Sequence, residues 1–145
     1  MVYSAEPMPA EVVKSMLDTQ WATYGGSIPE PTMIVANDVG KVYMAADHLV
    51  IREDTGGETE ILRNAYAYKN IKITILIDIK TNVSRQRLYD LKQEIRRIVN
   101  NQMHSLTNYH LIRYGGFAEQ TETQMNMWEG QVRLTLESDG VIVAT

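Results

Sequence analysis

Isoleucine stands at every second position from Ile71 to Ile79, within IKITILIDIKT, and after Thr81 the spacing of apolar residues widens from two to about 3.6. A period of two predicts a strand with one buried face, and the longer period predicts a helix with one buried stripe. The helix is expected to start at Ser84, a residue type whose side chain accepts a backbone N–H at a helix start. Its stripe is Leu88, Leu91, Ile95, Ile98 and Val99, and Arg96 and Arg97 are read as lying near its negative C-terminal end. The simplest packing lays this stripe on the isoleucine face, leaving Lys72, Thr74, Leu76, Asp78 and Lys80 on a face that this helix does not cover.

The rest of the chain is read in the same way. Residues 1–7 form a loose arm. A first helix follows, with Pro9 in its first turn and Ala10, Val13, Leu17, Trp21 and Tyr24 as its stripe, stopped by GGSIPEP. TMIVAND is a short strand, DHLVIRED another, and TGGE a turn after it. TEILRNAYAYKN is a strand that runs into the isoleucine strand through a bend or bulge near Lys69 and Asn70. NYHLIRYGG and WEGQVRLTLES are the last two long strands, with FAEQTETQMNM as a polar loop between them. In WEGQVRLTLES, Val132, Leu134 and Leu136 point one way and Gln131, Arg133, Thr135 and Glu137 the other. Residues 138–145 are a C-terminal tail or an edge strand. The order predicts one α+β domain over residues 1–145, with a mainly antiparallel or mixed sheet and two helices packed on one face.

Composition narrows the function classes. The 145 residues suit one domain, and a hydrophobic content of 44% is enough for a real core. The absence of cysteine excludes disulfide frameworks, thiolate nucleophiles and Cys-type zinc sites. A formal charge of −4 argues against a protein whose main task is gripping a nucleic-acid backbone. No basic segment followed by an apolar run marks a signal peptide at the N-terminus, and no apolar run approaches the ~20 residues of a membrane span. The expectation is a protein made and used in solution, without contact with a membrane.

Chemistry-bearing motifs are sparse. His48, His104 and His110 are not at metal-ligand spacing, the paired glycines match no phosphate-binding loop, and Ser27 and Ser105 lack a nucleophile-elbow context. Arg85, Arg87, Lys92, Arg96 and Arg97 are read as an exposed basic helix face, either simply solvated or able to hold an acidic partner. Asp47 at a strand start and Asp78-x-Lys80 at a later strand end are similar to the restriction-endonuclease-like family. That resemblance implies Asp47 and Asp78 as Mg²⁺ ligands and Lys80 as a helper at the attacking water. An extra long strand separates the two halves of the motif.

A second resemblance spans residues 10–137. HLVIRED, YAYKNIKITILIDIKT, SRQRLYDLKQEIRRIVNN, NYHLIRYGGF and MWEGQVRLTL follow one another in the order and spacing of the tail terminator (tail-completion) and neck proteins of tailed bacteriophages and archaeal tailed viruses. The resemblance implies a structural virion protein with no catalytic reaction and no cofactor or metal. It implies a ring, typically a hexamer, at the head-proximal end of the tail. Such a ring caps the tail tube protein, docks to the head–tail connector protein and lets genomic DNA pass through its lumen without specific binding. It also implies assembly in the host cytoplasm. Under this reading Tyr66, Tyr68, Lys72, Thr74, Leu76, Asp78 and Lys80 face a neighbouring subunit or the lumen, with the two tyrosines and Leu76 as apolar contacts.

Overall fold

The isoleucine strand is the middle of a five-stranded mixed sheet. In the computed structural model the chain is described over residues 8–35, 47–63, 66–106, 109–120 and 127–143, with backbone alone over 55–63, 66–71 and 139–143. The elements are α1 (Pro9–Gln20), β1 (Thr32–Val35), β2 (His48–Arg63), β3 (Tyr66–Thr81), α2 (Arg85–Asn101), β4 (Leu111–Gln120) and β5 (Trp128–Val143). The sheet order is β1-β2-β3-β5-β4. β1 runs parallel to β2, and every other neighbouring pair is antiparallel. Both helices lie on the face that carries Leu49, Ile51, Ile75, Ile77 and Ile79, so the fold is α+β as the periodicities predict.

α2 behaves as its sequence dictates. Ser84 Oγ accepts the Arg87 N–H at 3.0 Å, and Leu88, Leu91, Ile95, Ile98 and Val99 are fully buried. They meet Ile75, Ile77 and Ile79, also fully buried. Each such side chain contributes about 1.5–3 kcal/mol before conformational entropy is counted. Ile73 packs against the same cluster while partly buried, and the Ile71 side chain lies outside the described residues. Phe117 of β4 closes the same layer by lying over Gly130 of β5. A Cβ at Gly130 would stand 2.5 Å from the Phe117 ring and 3.3 Å from Leu88 Cδ1, so the ring has its seat only because the residue is glycine.

Several boundaries differ from the sequence expectations, each for a local reason. α1 ends at Gln20, before the glycines, because Ala22 adopts a positive φ of 62°. Trp21 therefore belongs to the turn, where it stays 9% exposed and its indole N–H donates to Ile28 O at 2.8 Å. Arg96 and Arg97 are not in the last turn of α2, which runs on to Asn101. TGGE is not a turn: β2 continues through it, with a register shift at Asp54 and Thr55, after which Gly56 pairs with Ile73 and Gly57 with Lys72. The reversal comes later, where Arg63 stands opposite Tyr66. TEILR thus closes β2, and AYAYKN opens β3 only from Tyr66. The irregularity expected near Lys69 and Asn70 is present, as a register shift between Lys69 and Ile71 on the β5 side. FAEQ belongs to β4, which shortens the loop before β5. Residues 138–143 are neither tail nor separate edge strand, because β5 carries on to pair Val143 with Ala67. The arm at 1–7 lies outside the described residues.

Asp18 of α1 and Glu30 in the segment after it form a carboxyl pair with a pH signature. A hydrogen bond that the Glu30 carboxyl donates to the Asp18 carboxylate, then burial, then the Asp18 charge push the Glu30 carboxyl up from 4.5 to about 7. A folded-state value raised above the unfolded one gives stability that is complete below about 4.5 and lost as pH rises through about 7. Water screens so exposed a pair, and the effect is accordingly small. Glu30→Gln is expected to flatten the fall in melting temperature between pH 5 and pH 8 that the wild-type chain shows. Thermal melts across that range read the difference.

Candidate functional site on the bare face of the sheet

Side chains alternate across a sheet, and the register shows which residues share the face without helices. From one end, its rows are Thr32, His48, Lys80, Glu129 and Gln120; then Ile34, Val50, Asp78, Gln131 and Ala118; then Arg52, Leu76, Arg133 and Gly116. Next come Thr74, Thr135 and Arg113, and then Lys72, Glu137 and Leu111. The face is mixed: Ile34, Val50, Leu76 and Leu111 lie among polar residues, with five cations against three carboxylates in a chain of formal charge −4.

Asp78 is the hub of its lower half. The carboxylate accepts Arg52 Nε at 2.9 Å and Gln131 Nε2 at 2.9 Å, one partner from each flanking strand. Lys80 pairs with Glu129 at 3.8 Å, across to β5, and not with Asp78 two residues before it on the same face. Between these groups lies an open hollow of about 250 Å³, bordered by Arg52, Asp78, Lys80, Gln120, Glu129 and Gln131. Arg113 and Arg133 are exposed and have no carboxylate partner among the described residues.

The structure corrects part of the interface expected from the sequence. Leu76 is only 4% exposed although neither described helix covers it, so it is not a free apolar contact for a partner. Its register neighbours are Arg52 and Arg133, a residue type whose stem can cover an apolar side chain while its head stays in water. His48 is also buried, at 2%. Lys72 is exposed, while Thr74, Asp78 and Lys80 are half-buried. Tyr66 and Tyr68 sit at the far end of β3, Tyr68 opposite both Ile61 and Ile142, and their side chains lie outside the described residues.

The nuclease-like constellation does not assemble. Asp47 faces the helical layer, where it accepts Arg87 Nε at 2.7 Å and the Thr81 hydroxyl. Asp78 faces the other way, with Arg52 and Gln131. Two carboxylates on opposite faces of one sheet cannot share a metal ion or a water molecule, and each already has a cationic partner. Nor do the described residues place three His, Asp or Glu side chains together in a way that would hold a metal.

The basic helix face is likewise not a free patch. Arg87 is an internal residue: its side chain is 11% exposed, and it joins Asp47 on one side and Pro29 O, at 2.7 Å, on the other. Arg97 is bonded to the fully buried Glu94, which also accepts the Ala22 N–H at 3.1 Å. Arg85 is exposed but bonded to Glu119 at 2.8 and 2.9 Å, and those bonds raise the arginine and hold the Glu119 carboxyl below its ordinary value. Lys92 lies over the Tyr89 and Phe117 rings and Arg96 over Tyr114. A helix whose cations are engaged in this way is built to hold its own sheet. It is poorly suited to grip an acidic partner.

Sequence reasoning missed Arg52, Arg113 and Arg133 as members of the bare face. The alternation in QVRLTLE already put Arg133 on the polar side, but only the strand order sets it beside Leu76 and Arg113. Glu94 was missed too, although its spacing from Leu91 and Ile98 sets a carboxylate within the apolar stripe.

The described helices include none long and apolar enough to cross a membrane. No family model matches the chain, and no curated protein matches it. Among solved structures, the chain is similar to one in the "Virion of native gene transfer agent (GTA) particle", with a TM-score of 0.59 at 10% identity, over 96% of this chain and 100% of that one. At that identity the likeness speaks for the fold.

Proposed function

We propose that the protein is a structural component of a virion, a ring-forming subunit at the head-proximal end of a viral tail. The observation that carries this reading is the end-to-end likeness of its fold to a chain of a virion particle, with neither chain left substantially unmatched. Two features of the molecule support it. The nuclease-like set of residues is divided between the two faces of the sheet and tied up in structural ion pairs. The sheet also keeps one broad face clear of the described helices, as a subunit needs if that face is to meet a neighbour or a lumen.

In this role the subunit joins copies of itself, six in the expected ring. It caps the tube protein on one side and meets the head–tail connector on the other, with genomic DNA passing through the lumen. Assembly takes place in the host cytoplasm. The test is self-association of the purified protein. Native mass spectrometry over a concentration series is expected to show one closed stoichiometry, with no Mg²⁺-dependent cleavage of plasmid DNA. Cleavage abolished by Asp78→Ala would overturn the reading.

A further inference from the structure

The sheet has a step where β1 ends. β1 pairs with β2 only from His48 to Ile51, and among the described residues no strand lies outside β2 from Arg52 to Arg63. Glu53 and Asp54 stand at the start of this open edge, both exposed and in no ion pair with another described residue. Their rows can be followed across the whole sheet. Glu53 pairs with Ile75, Ile75 with Leu134, and Leu134 with Tyr114 of β4, the opposite edge strand. Asp54 falls in the register shift before Gly56, level with Thr74, whose row runs through Thr135 to Arg113.

The β4 end of these rows carries the opposite charge. Arg113 and Arg133 are both exposed there. Arg133 belongs to β5 but leans on the glycines of β4: a Cβ at Gly115 would stand 3.4 Å from Arg133 Cγ, and one at Gly116 would meet nothing within 4 Å. Glu137 is a diagonal neighbour of Arg113, yet it stands directly opposite Lys72, and Arg133 is the other diagonal neighbour. Three cations therefore share one carboxylate, and the margin stays basic. Outside β4 no described strand follows; the Ile112 N–H donates to Met103 O at 2.9 Å.

We propose that these two edges are the halves of one contact between copies of this chain, in which Arg113 and Arg133 of one subunit meet Glu53 and Asp54 of the next. Rotation about an axis parallel to the strands keeps every row at its height, so residues level with one another in one subunit meet across a junction. Arg113 is level with Asp54, and Glu53 lies between the rows of Arg113 and Arg133. Arginine suits the step beside β1, because its long stem spans the gap and its planar head takes a carboxylate with two hydrogen bonds. The two edges differ, so the contact is head-to-tail, the kind that closes into rings. A second copy is the occupant because the acidic edge is answered, row for row, by the other edge of the same chain. The proposal deepens the ring reading by naming its junction, and it rests on that reading only for closure.

The experiment uses the full chain and two charge-reversed variants, Glu53→Lys/Asp54→Lys and Arg113→Glu/Arg133→Glu. Sedimentation velocity and native mass spectrometry follow each over one concentration series. All four positions are exposed, and circular dichroism checks that the variants remain folded. Each variant carries one sign of charge on both edges, and its self-association is expected to be roughly ten-fold weaker than that of the wild-type chain. An equal mixture of the two is expected to assemble again, with the variants alternating, because every junction then joins opposite charges.

A variant that assembles as well as the wild-type chain would overturn the proposal. So would a mixture that stays as dissociated as its components. Closed rings that neither reversal weakens would sink this inference alone. Open chains that each reversal dissolves and the mixture restores would sink the ring reading alone, and a wild-type chain that stays monomeric throughout would sink both.

Discussion

Asp47→Ala is expected to lower the stability of the fold by about 3–5 kcal/mol, the usual loss when one partner of a buried ion pair is removed. Its carboxylate receives both the Arg87 guanidinium at 2.7 Å and the fully buried Thr81 hydroxyl, while Arg87 reaches on to Pro29 O. One side chain therefore joins the start of β2, the end of β3, the start of α2 and the segment before β1. Truncation leaves Arg87, at 11% exposure, with a charge that water barely reaches. Replacing Asp47 and Arg87 together with apolar residues is expected to cost less than the single change, because no charge is then stranded. Urea unfolding followed by circular dichroism measures both variants. A loss below about 1 kcal/mol for Asp47→Ala would show that the network contributes little.

Glu94→Ala is expected to cost about 3 kcal/mol and to act locally. Glu94 is fully buried in the stripe of α2, where it takes the Ala22 N–H and the Arg97 guanidinium. Its loss leaves the Ala22 N–H and the Arg97 guanidinium without their acceptor and opens a cavity beside Leu91 and Ile98. Ala22 holds its left-handed conformation at the end of α1 with this carboxylate as partner. Amide exchange should therefore speed up first at residues 21–26, well before β3 or β5. Uniform acceleration across the sheet would contradict the assignment of Glu94 as the clasp of that turn.

The parts of this fold that could be read from the sequence are those in which one residue type repeats at a strict period. The isoleucines from Ile73 to Ile79 and the α2 stripe pack as their spacing dictates, and the Ser84 cap forms as expected. Strand boundaries were less legible. Glycines in TGGE carry the same local signature within a strand beside a bulge as in a turn, and only pairing with β3 distinguishes the two. The bare face was legible one strand at a time, through Lys72 to Lys80 and through Gln131 to Glu137. Its charge pattern was not, because Arg52, Arg133 and Arg113 come together only through the order β2-β3-β5-β4. For the same reason Arg87 looked exposed. Helical spacing gives a residue's face, but not the carboxylate at 47 that comes to meet it from another element.

Closure of this subunit into a ring, the proposed role, is open to negative-stain imaging of the purified protein across a concentration series. Annular particles of a single diameter and subunit number are expected, six subunits to a ring, with an open centre wide enough for duplex DNA. A monomer at every concentration, or open filaments without closure, would contradict it.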